Sequence, residues 1–190
     1  MQNYTSYRHI LYTETMQKDY TPVVVIGPSG AGKSTLINNL LRTIPSLHIH
    51  KTVTTRPKRT PAENDTHVFV NEVEFENMIT SDQFLGYTKL FGYRYGLLKL
   101  PVRLQSPTIV ILRAQFVEIF RSFYPDTHVV AVIAPVSILE KRLAARGDTD
   151  RVNPASLYDE IIASCQLANT RIDTSTTIDA VTEIRKILCG

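Results

Sequence analysis

The sequence predicts an α/β fold in which a parallel central sheet lies between layers of helices. Short apolar runs rich in β-branched residues alternate along the chain with segments of helical periodicity, as in folds with buried parallel strands. A glycine-rich segment at 27–34 joins the first such run to the first helical segment, and strand, loop and helix in that order form a phosphate-binding P-loop. The 190 residues suffice for one full core. We therefore expect a three-layer P-loop fold in one domain.

The first strand and helix flank the most informative motif. Val23 to Ile26 is an apolar run, and the residues after it, Gly-Pro-Ser-Gly-Ala-Gly-Lys-Ser, fit the pattern G-x-x-x-x-G-K-[ST]. The glycines let backbone N–H groups close around an anion, Lys33 adds charge for the β- and γ-phosphates, and Ser34 offers a hydroxyl to Mg²⁺. The motif thus predicts an ATP site, with Ser34 as the metal residue, formed by Gly27, Ser29, Gly30, Ala31, Gly32, Lys33, Ser34 and Thr35.

The segments after the first helix are short and mixed. Leu47 to Thr55 has an extended pattern, and Arg56 to Pro61 predicts an irregular basic loop. His67 to Val70 predicts a strand, Val73 to Met78 a brief helix, and Phe84 to Leu98 a mixture of strand and turn.

The second half of the chain returns to long, regular elements. Thr108 to Leu112 and Val129 to Ala134 predict two more central strands, and Arg171 to Asp173 predicts a last short one. Because the phosphate loop follows the first strand, it should lie at the carboxyl edge of the sheet, where such folds bind ligands. Helices are expected at 117–123, 137–145, 157–168 and 178–188.

Composition and charge exclude several classes of partner. The net charge is +3 without a dense run of Lys and Arg, so nucleic acid is not an expected partner. No apolar stretch approaches the roughly 20 residues that span a bilayer, and residues 1–20 lack the apolar core of a secretory signal. We therefore expect a cytoplasmic protein that does not bind membranes, with an N-terminal extension at 1–20 and one P-loop domain at 21–190. The sequence leaves a homo-oligomer open.

Two basic clusters have the composition of phosphate-binding segments. Arg56 and Arg59 are three residues apart in an irregular loop, and guanidinium forks match phosphate oxygens; a solvated basic turn is the alternative. Arg142 and Arg146 share a helix face at i, i+4, and the polar residues after Gly147 have the composition of a mobile lid. Here the alternative is a pair of surface arginines packed over the core.

Together these residues resemble the guanylate kinase family. The resemblance is carried by the phosphate loop, the Thr-Val-Thr-Thr-Arg-Pro-Lys-Arg stretch at 52–59, the segment from Phe75 to Leu85, Tyr95-Gly96, and the segment from Lys141 to Gly147. It implies an ATP- and Mg²⁺-dependent kinase that moves the γ-phosphoryl group of ATP to the phosphate of a small phosphorylated acceptor such as GMP. It also implies an acceptor-binding part at about 52–98 and a lid at about 146–156.

The resemblance implies roles for single residues as well. Arg56 and Arg59 would grip the acceptor phosphate with Tyr95 as a hydroxyl donor, and Thr52 stands where the family has a serine that touches the base. Arg142 resembles the arginine beside the adenine of ATP, and Arg146 resembles the lid arginine that reaches the transferred phosphoryl group. The expected acceptor-binding residues are Thr52, Arg56, Arg59, His67, Tyr95 and Arg113, and the expected catalytic residues are Lys33, Arg142 and Arg146.

The chain departs from the family at the positions that surround guanine. Gly86 replaces a glutamate, Leu97 a serine or threonine, Arg113 an acid on the second central strand, and His67 a tyrosine. A site that loses its hydrogen-bonding groups loses most of its discrimination. The same places resemble ribose 1,5-bisphosphate phosphokinase, whose acceptor has no base. There Arg113 would suit a second phosphate; otherwise it is the surface-end arginine of a strand. A non-catalytic guanylate-kinase-like binding module is the second alternative, and the intact phosphate loop disfavours it.

Overall fold

The structure, a computed structural model, describes residues 20–58, 63, 66–90, 92–101, 103–148, 152–176 and 179–189. Residues 1–19 of the expected extension lie outside this part of the chain, as do Arg59 and residues 149–151 of the expected lid. The domain boundaries therefore stay predictions. The helices and strands are β1 Val23–Ile26, α1 Lys33–Thr43, β2 His48–His50, β3 Thr52–Thr54, β4 His67–Phe69, α2 Glu72–Thr80, β5 Phe84–Leu90, β6 Tyr93–Leu98, β7 Thr108–Ile111, α3 Val117–Phe123, β8 His128–Ile133, α4 Val136–Ala144, α5 Pro154–Leu167, β9 Thr170–Asp173 and α6 Ala180–Cys189.

The central sheet confirms the predicted α/β fold. Within the described ranges it has five strands in the order β2-β7-β1-β8-β9, and every neighbouring pair is parallel. The side chains of β1 alternate between two cores, with Val23 and Val25 on one face and Val24 and Ile26 on the other. Helices α1, α4 and α6 pack on the first face, and α3 packs on the second. None of the described helices is long and apolar enough to cross a membrane.

A second sheet, which the sequence did not predict, is formed by residues 52–98. Its strands lie in the order β4-β3-β6-β5; β3 and β4 are parallel, whereas β6 is antiparallel to both β3 and β5. The extended run predicted at 47–55 is therefore two strands. His48–His50 joins the central sheet, Thr52–Thr54 joins the second sheet, and Lys51 lies between them. Strands of three residues are too short for their pattern to reveal a change of sheet.

Two glycines allow close approaches that position the site. At Gly27, φ is +140° and a Cβ would lie 2.0 Å from the carbonyl oxygen of Val132 in β8, so only glycine lets the loop leave β1 in this direction. At Gly96 in β6, a Cβ would lie 2.3 Å from the ring of Phe84, which stacks on Phe75 at a centroid distance of 4.8 Å. The first contact seats the phosphate loop on the central sheet, and the second seats β6 on the small core of the second sheet.

Helix α5 begins at Pro154, whereas the sequence analysis predicted a start at Leu157. The Asn153 side chain accepts a hydrogen bond from the Ser156 N–H at 3.1 Å and caps the helix. Pro154 follows the cap in the first turn of the helix, where a backbone N–H would have no intrahelical acceptor. Both are helix-start signals that the sequence contains, and the apolar periodicity alone placed the boundary one turn late.

His50 connects the two sheets from the edge strand β2. Its Nε2 lies 3.1 Å from the carbonyl oxygen of Leu98, the last residue of β6. Because a carbonyl oxygen only accepts, Nε2 carries the hydrogen and donates it. The buried ring borders a small cavity that His48 and Arg103 also line. Burial is the main cause that lowers the pKa of the His50 imidazole below its ordinary value of 6.5; the hydrogen bond to Leu98 opposes this shift, and the charge of His48 adds a smaller lowering.

We expect the free energy of unfolding to fall as the pH decreases below about 6.5, in part because of His50. The fold favours the neutral imidazole, whereas the unfolded chain binds a proton near pH 6.5. Stability is therefore complete above that pH and is lost as the pH falls toward the lower pKa of the folded state. Urea unfolding at several pH values checks this. As the pH is lowered, His50→Gln, whose amide can still donate to Leu98, should lose less stability than the wild type. His48→Gln, at an exposed position, should lose about as much as the wild type. Equal losses in all three proteins would contradict this.

Candidate active site

A cleft of about 1180 Å³ lies between the two sheets, at the carboxyl edge of the central sheet. It is lined by the phosphate loop and the end of β7 from the central sheet, by β3 and β6 of the second sheet, and by α5. Ligands of open α/β sheets bind at this edge. Of the residues predicted for the site, those that line the cleft are Gly27, Ser29, Gly30, Ala31, Gly32, Lys33, Ser34, Thr35, Thr52, Arg56, His67, Tyr95, Arg113 and Arg146.

The phosphate loop ends in the first turn of α1. Gly32 occupies the N-cap in a left-handed conformation with φ 96°, and no side chain caps the helix in the described structure. The first backbone N–H groups of α1 and the positive end of its dipole therefore favour an anion at the cleft. The Lys33 ammonium donates to the carbonyl oxygens of Gly27 at 2.7 Å and Pro28 at 2.9 Å, which holds it beside the loop. This arrangement can bind a polyphosphate.

Arg56 lies in the wall of the cleft just after β3. Its guanidinium forms a forked ion pair with Glu63, with Nη2 to Oε1 at 2.8 Å and Nη1 to Oε2 at 3.4 Å, and Nη1 also donates to the carbonyl oxygen of Pro57 at 2.7 Å. The Thr54 hydroxyl accepts from the Arg56 N–H at 3.1 Å, and the guanidinium lies 5.6 Å from the centre of the Phe69 ring. Only 6% of this side chain is exposed. Its orientation is therefore fixed by four side-chain contacts, two to Glu63 and one each to Pro57 and Phe69, and the sequence analysis did not predict the pair with Glu63.

Tyr95 and Arg113 meet across the cleft from different sheets. Tyr95 is buried, and its Oη has no hydrogen-bond partner among the described residues. The Arg113 guanidinium, at the end of β7, lies 5.4 Å from the centre of the Tyr95 ring and 4.0 Å from the carboxylate of Glu160 in α5. A buried hydroxyl without a partner is unfavourable. Because Tyr95 borders the cleft, a ligand oxygen is the natural partner for this hydroxyl.

Apolar or engaged groups stand at the other positions where the chain departs from the family it resembles. A Cβ on Gly86 would lie 3.2 Å from Ile119 Cδ1 and 3.5 Å from Phe116 Cε1, so these two side chains fill the space that a glutamate would need. Leu97 is fully buried. The Nδ1 of His67 hydrogen bonds to the Thr66 hydroxyl at 2.8 Å. Gly86 and Leu97 therefore offer no side-chain hydrogen-bonding group, and the Nδ1 of His67 is engaged with Thr66.

Besides Glu63, the partner of Arg56, four acids line the cleft that the sequence analysis did not single out. Glu118 comes from α3, Asp148 follows α4, and Asp159 and Glu160 come from α5. Helical periodicity identifies the buried face of a helix, but it does not separate a solvent-facing carboxylate from one that faces a cleft. The number of acids offsets much of the positive charge that the arginines bring to the site.

The two arginines of the second basic cluster occupy different places. Arg146 is exposed after the end of α4 and lines the cleft, and its role as the lid arginine stays a prediction. Arg142 is not among the described residues that line the cleft. Its guanidinium donates to the carbonyl oxygen of Gly30 at 3.2 Å and to the Thr174 hydroxyl at 2.9 Å, behind the phosphate loop. Its predicted contact with adenine stays a prediction.

The residues of the cleft fit a Mg²⁺ ion that arrives with a nucleotide. The described residues contain no group of three or more His, Cys, Asp or Glu side chains that could hold a metal by themselves. Mg²⁺ is usually held by one or two protein oxygens together with substrate phosphates and water. The Ser34 hydroxyl borders the cleft directly after Lys33 and can supply such an oxygen.

The chain is similar to known proteins over most of its length. Residues 19–186 match the protein family described as Guanylate kinase. The chain is 34% identical over 176 residues to the guanylate kinase of Carboxydothermus hydrogenoformans, which covers 87% of this chain and 86% of that protein. It is 37% identical over 138 residues to a guanylate kinase of Helicobacter pylori, which covers 70% of this chain and 67% of that protein.

A solved structure of a guanylate kinase has the same fold as this chain. The crystal structure of guanylate kinase from Anaplasma phagocytophilum superposes with a TM-score of 0.69 over 92% of this chain and 88% of that one, at 21% identity. At the level of the family, the prediction of a phosphotransferase of the guanylate kinase type that uses ATP and Mg²⁺ is confirmed. An intact phosphate loop, the P-loop kinase fold and a match that spans residues 19–186 show that the chain belongs to the guanylate kinase family.

Proposed function

We propose that this protein transfers the γ-phosphoryl group of ATP to a phosphate group on a small acceptor, with GMP as the first candidate. The observation that carries the proposal is the presence of phosphate-binding groups on two sides of one cleft. Lys33 and the start of α1 border it from the central sheet, and Arg56 and Tyr95 border it from the second sheet. Two phosphates bound in this way would approach each other between the sheets. GMP is the acceptor because the relatives that match most of the chain are named guanylate kinases.

In this proposal the chain works by positioning and charge neutralisation. The loop N–H groups and Lys33 hold the β- and γ-phosphates of ATP, and Arg56 with the Tyr95 hydroxyl holds the acceptor phosphate in line. Arg146, which is exposed beside the cleft, neutralises charge on the phosphoryl group as it moves. Bound Mg²⁺ would supply further neutralisation of phosphate charge, with Ser34 as a protein oxygen. No covalent intermediate with the protein is needed.

Ribose 1,5-bisphosphate is the second candidate acceptor, and a specific observation favours it. Ile119 and Phe116 fill the space beside Gly86, Leu97 is buried, and the cation of Arg113 borders the cleft where the family has an acid. An acceptor without a base but with a second phosphate would use Arg113 and would need none of the missing groups.

A non-catalytic binding module is the alternative from another class. A module that holds a protein in the acceptor part of the cleft has no need for a phosphate loop. Lys33 and the N-terminus of α1 support nucleotide binding instead. Thermal unfolding with and without Mg²⁺ and ATP separates the two classes, because a ligand that binds the folded state raises the melting temperature. An unchanged melting temperature at high ATP concentration would support the module.

Steady-state rates of ATP consumption with Mg²⁺ and GMP, dGMP, AMP, UMP or ribose 1,5-bisphosphate test the acceptor. The proposal expects turnover with GMP. If ribose 1,5-bisphosphate is the acceptor instead, Arg113→Gln should lower its kcat/KM by about 10- to 100-fold, the effect of losing a charge-assisted hydrogen bond. Arg185→Gln, at an exposed position in α6, is the matched control. If ATP raises the melting temperature but none of the five acceptors supports ATP consumption, both candidate acceptors are wrong.

A further inference from the structure

The back of the phosphate loop is held by two side chains that lie outside the motif. Arg142 in α4 donates through Nη1 to the Gly30 carbonyl oxygen at 3.2 Å and to the Thr174 hydroxyl at 2.9 Å. Thr174, which follows β9, donates through Oγ1 to the Ala31 carbonyl oxygen at 2.9 Å. Its own backbone is fixed as well, because its N–H donates to the Ile133 carbonyl oxygen at 2.9 Å.

The direction of these hydrogen bonds follows from the donors available. A guanidinium has no acceptor, so Arg142 must donate to the hydroxyl oxygen of Thr174. The single hydroxyl hydrogen is then available for a carbonyl group. Ala31 at 2.9 Å offers a better distance than Ile133 at 3.3 Å. A continuous chain of donors therefore runs from Arg142 through Thr174 to the loop.

Fixing a carbonyl group also fixes the neighbouring N–H. Across a planar trans peptide the C=O of one residue and the N–H of the next point in opposite directions. The bond to the Ala31 carbonyl therefore sets the direction of the Gly32 N–H, and the bond to the Gly30 carbonyl sets that of the Ala31 N–H. Gly32 and Ala31 both line the cleft. When Thr174 holds the Ala31 carbonyl group at the back, the Gly32 N–H is turned away from it. The Ala31 N–H, set by the bond from Arg142 to the Gly30 carbonyl, donates within the loop to the Pro28 carbonyl oxygen at 3.3 Å.

Lys33 completes the same arrangement from the other side. It donates to the carbonyl oxygens of Gly27 and Pro28. Four carbonyl groups of the loop are thus held by two cations and one hydroxyl, which keeps partial negative charge from facing a bound anion. A loop without these partners could rotate its peptide groups and present carbonyl oxygens to the phosphates, where they would repel them.

We propose that Arg142 and Thr174 act as positioning residues that hold the phosphate loop in its anion-binding conformation. The proposal deepens the ATP site of the proposed function and assigns Arg142 a role that requires no contact with adenine. Neither residue lies in the phosphate-loop motif, and both act through the peptide groups of Gly30, Ala31 and Gly32.

The test compares three threonine variants by calorimetric titration with Mg²⁺ and ATP, which requires no acceptor. Thr174→Val removes the hydroxyl and leaves the Ala31 carbonyl without it, and we expect the Kd for ATP to rise about five- to tenfold, the effect of one lost hydrogen bond. Thr174→Ser keeps the hydroxyl and should stay within about twofold of the wild type. Thr43→Val is the matched control, because Thr43 also donates to a backbone carbonyl, at 3.1 Å from Leu40, but at the far end of α1.

The outcomes separate positioning from stability. A merely structural role would lower the melting temperature of Thr174→Val and Thr43→Val alike and would leave the Kd for ATP unchanged, which would overturn the proposal. A Thr174→Ser variant as weak as Thr174→Val would also overturn it. If Thr174→Val does not fold, Arg142→Lys decides, because lysine keeps the charge but cannot reach two acceptors with a planar fork. An unchanged Kd in that variant would refute the proposal, and a rise of about fivefold would support it.

This test is independent of the acceptor. If the wild type binds ATP but turns over neither GMP nor ribose 1,5-bisphosphate, the proposed function fails while the Kd comparison still decides the role of Thr174. If the wild type turns over an acceptor and Thr174→Val keeps the ATP affinity of the wild type, the positioning proposal fails alone.

Discussion

Replacing Lys33 with alanine is expected to lower kcat by about 10²- to 10⁴-fold, with the fold intact. The ammonium lies beside the loop, and its hydrogen bonds to Gly27 and Pro28 keep it at the start of α1. As the γ-phosphoryl group moves, charge spreads over its equatorial oxygens, and a fixed cation there stabilises the transition state more than the ground state. The loss should therefore fall mainly on kcat rather than on the KM for ATP.

Rates with saturating ATP and acceptor test this expectation. Lys186→Ala, at an exposed position in α6, is the matched control and should keep the activity of the wild type. Because Lys33 also bonds two loop carbonyl groups, a thermal unfolding curve of Lys33→Ala is needed to show that the variant is folded. A folded Lys33→Ala protein that turns over at the rate of the wild type would refute the proposed mechanism.

Replacing Arg56 with alanine is expected to lower kcat/KM for the acceptor by about 10²- to 10³-fold and to change the KM for ATP by less than about twofold. Among the described lysines and arginines of residues 52–98, Arg56 is the one that borders the cleft, as Tyr95 does. Glu63 and Pro57 occupy Nη1 and one hydrogen of Nη2 and hold the guanidinium plane, so an acceptor phosphate would meet the Nε–H and the second Nη2 hydrogen as a fork that is already oriented. Arg56→Lys keeps the charge but loses the fork, and it should lie between the wild type and Arg56→Ala.

The control for Arg56 is Arg171→Ala, an exposed arginine that donates to the Cys165 carbonyl oxygen away from the cleft. Removing Arg56 also leaves Glu63 without its partner, so the melting temperature should fall as well. The two effects separate in the kinetics, because a loss of stability alone lowers the active fraction equally for both substrates. Acceptor kinetics identical to those of the wild type would remove Arg56 from the site.

The sequence predicts best those features that are local. The phosphate loop is eight consecutive residues between a buried strand and a helix, and β7 and β8 are apolar on both faces, so each is recognisable without its neighbours. The second sheet was not predicted, because β3 and β4 have three residues each and their partners are distant in the chain.

The same distinction between local and non-local features applies to the candidate site. Lys33 and Arg56 lie in short motifs, whereas Glu63 and Thr174 matter only through partners that the fold brings to them. Thr174 follows the carboxyl end of β9, next to β8, and the rule that ligands bind at this edge of a parallel sheet was the available signal for it. Arg59 lies outside the described residues, and its role stays a prediction.

The contact between Gly96 and the Phe84 ring limits how this part of the chain can change over evolutionary time. Any side chain at residue 96 would overlap the Phe84 ring, which is itself stacked on Phe75. A substitution of Gly96 therefore requires compensating changes in β5 and α2. Gly92, at the turn between β5 and β6, has open space around its Cβ position, and asparagine or aspartate can adopt its positive φ. Drift in the acceptor part should therefore accumulate at the tip of the hairpin, while the segment beside Tyr95 stays constant.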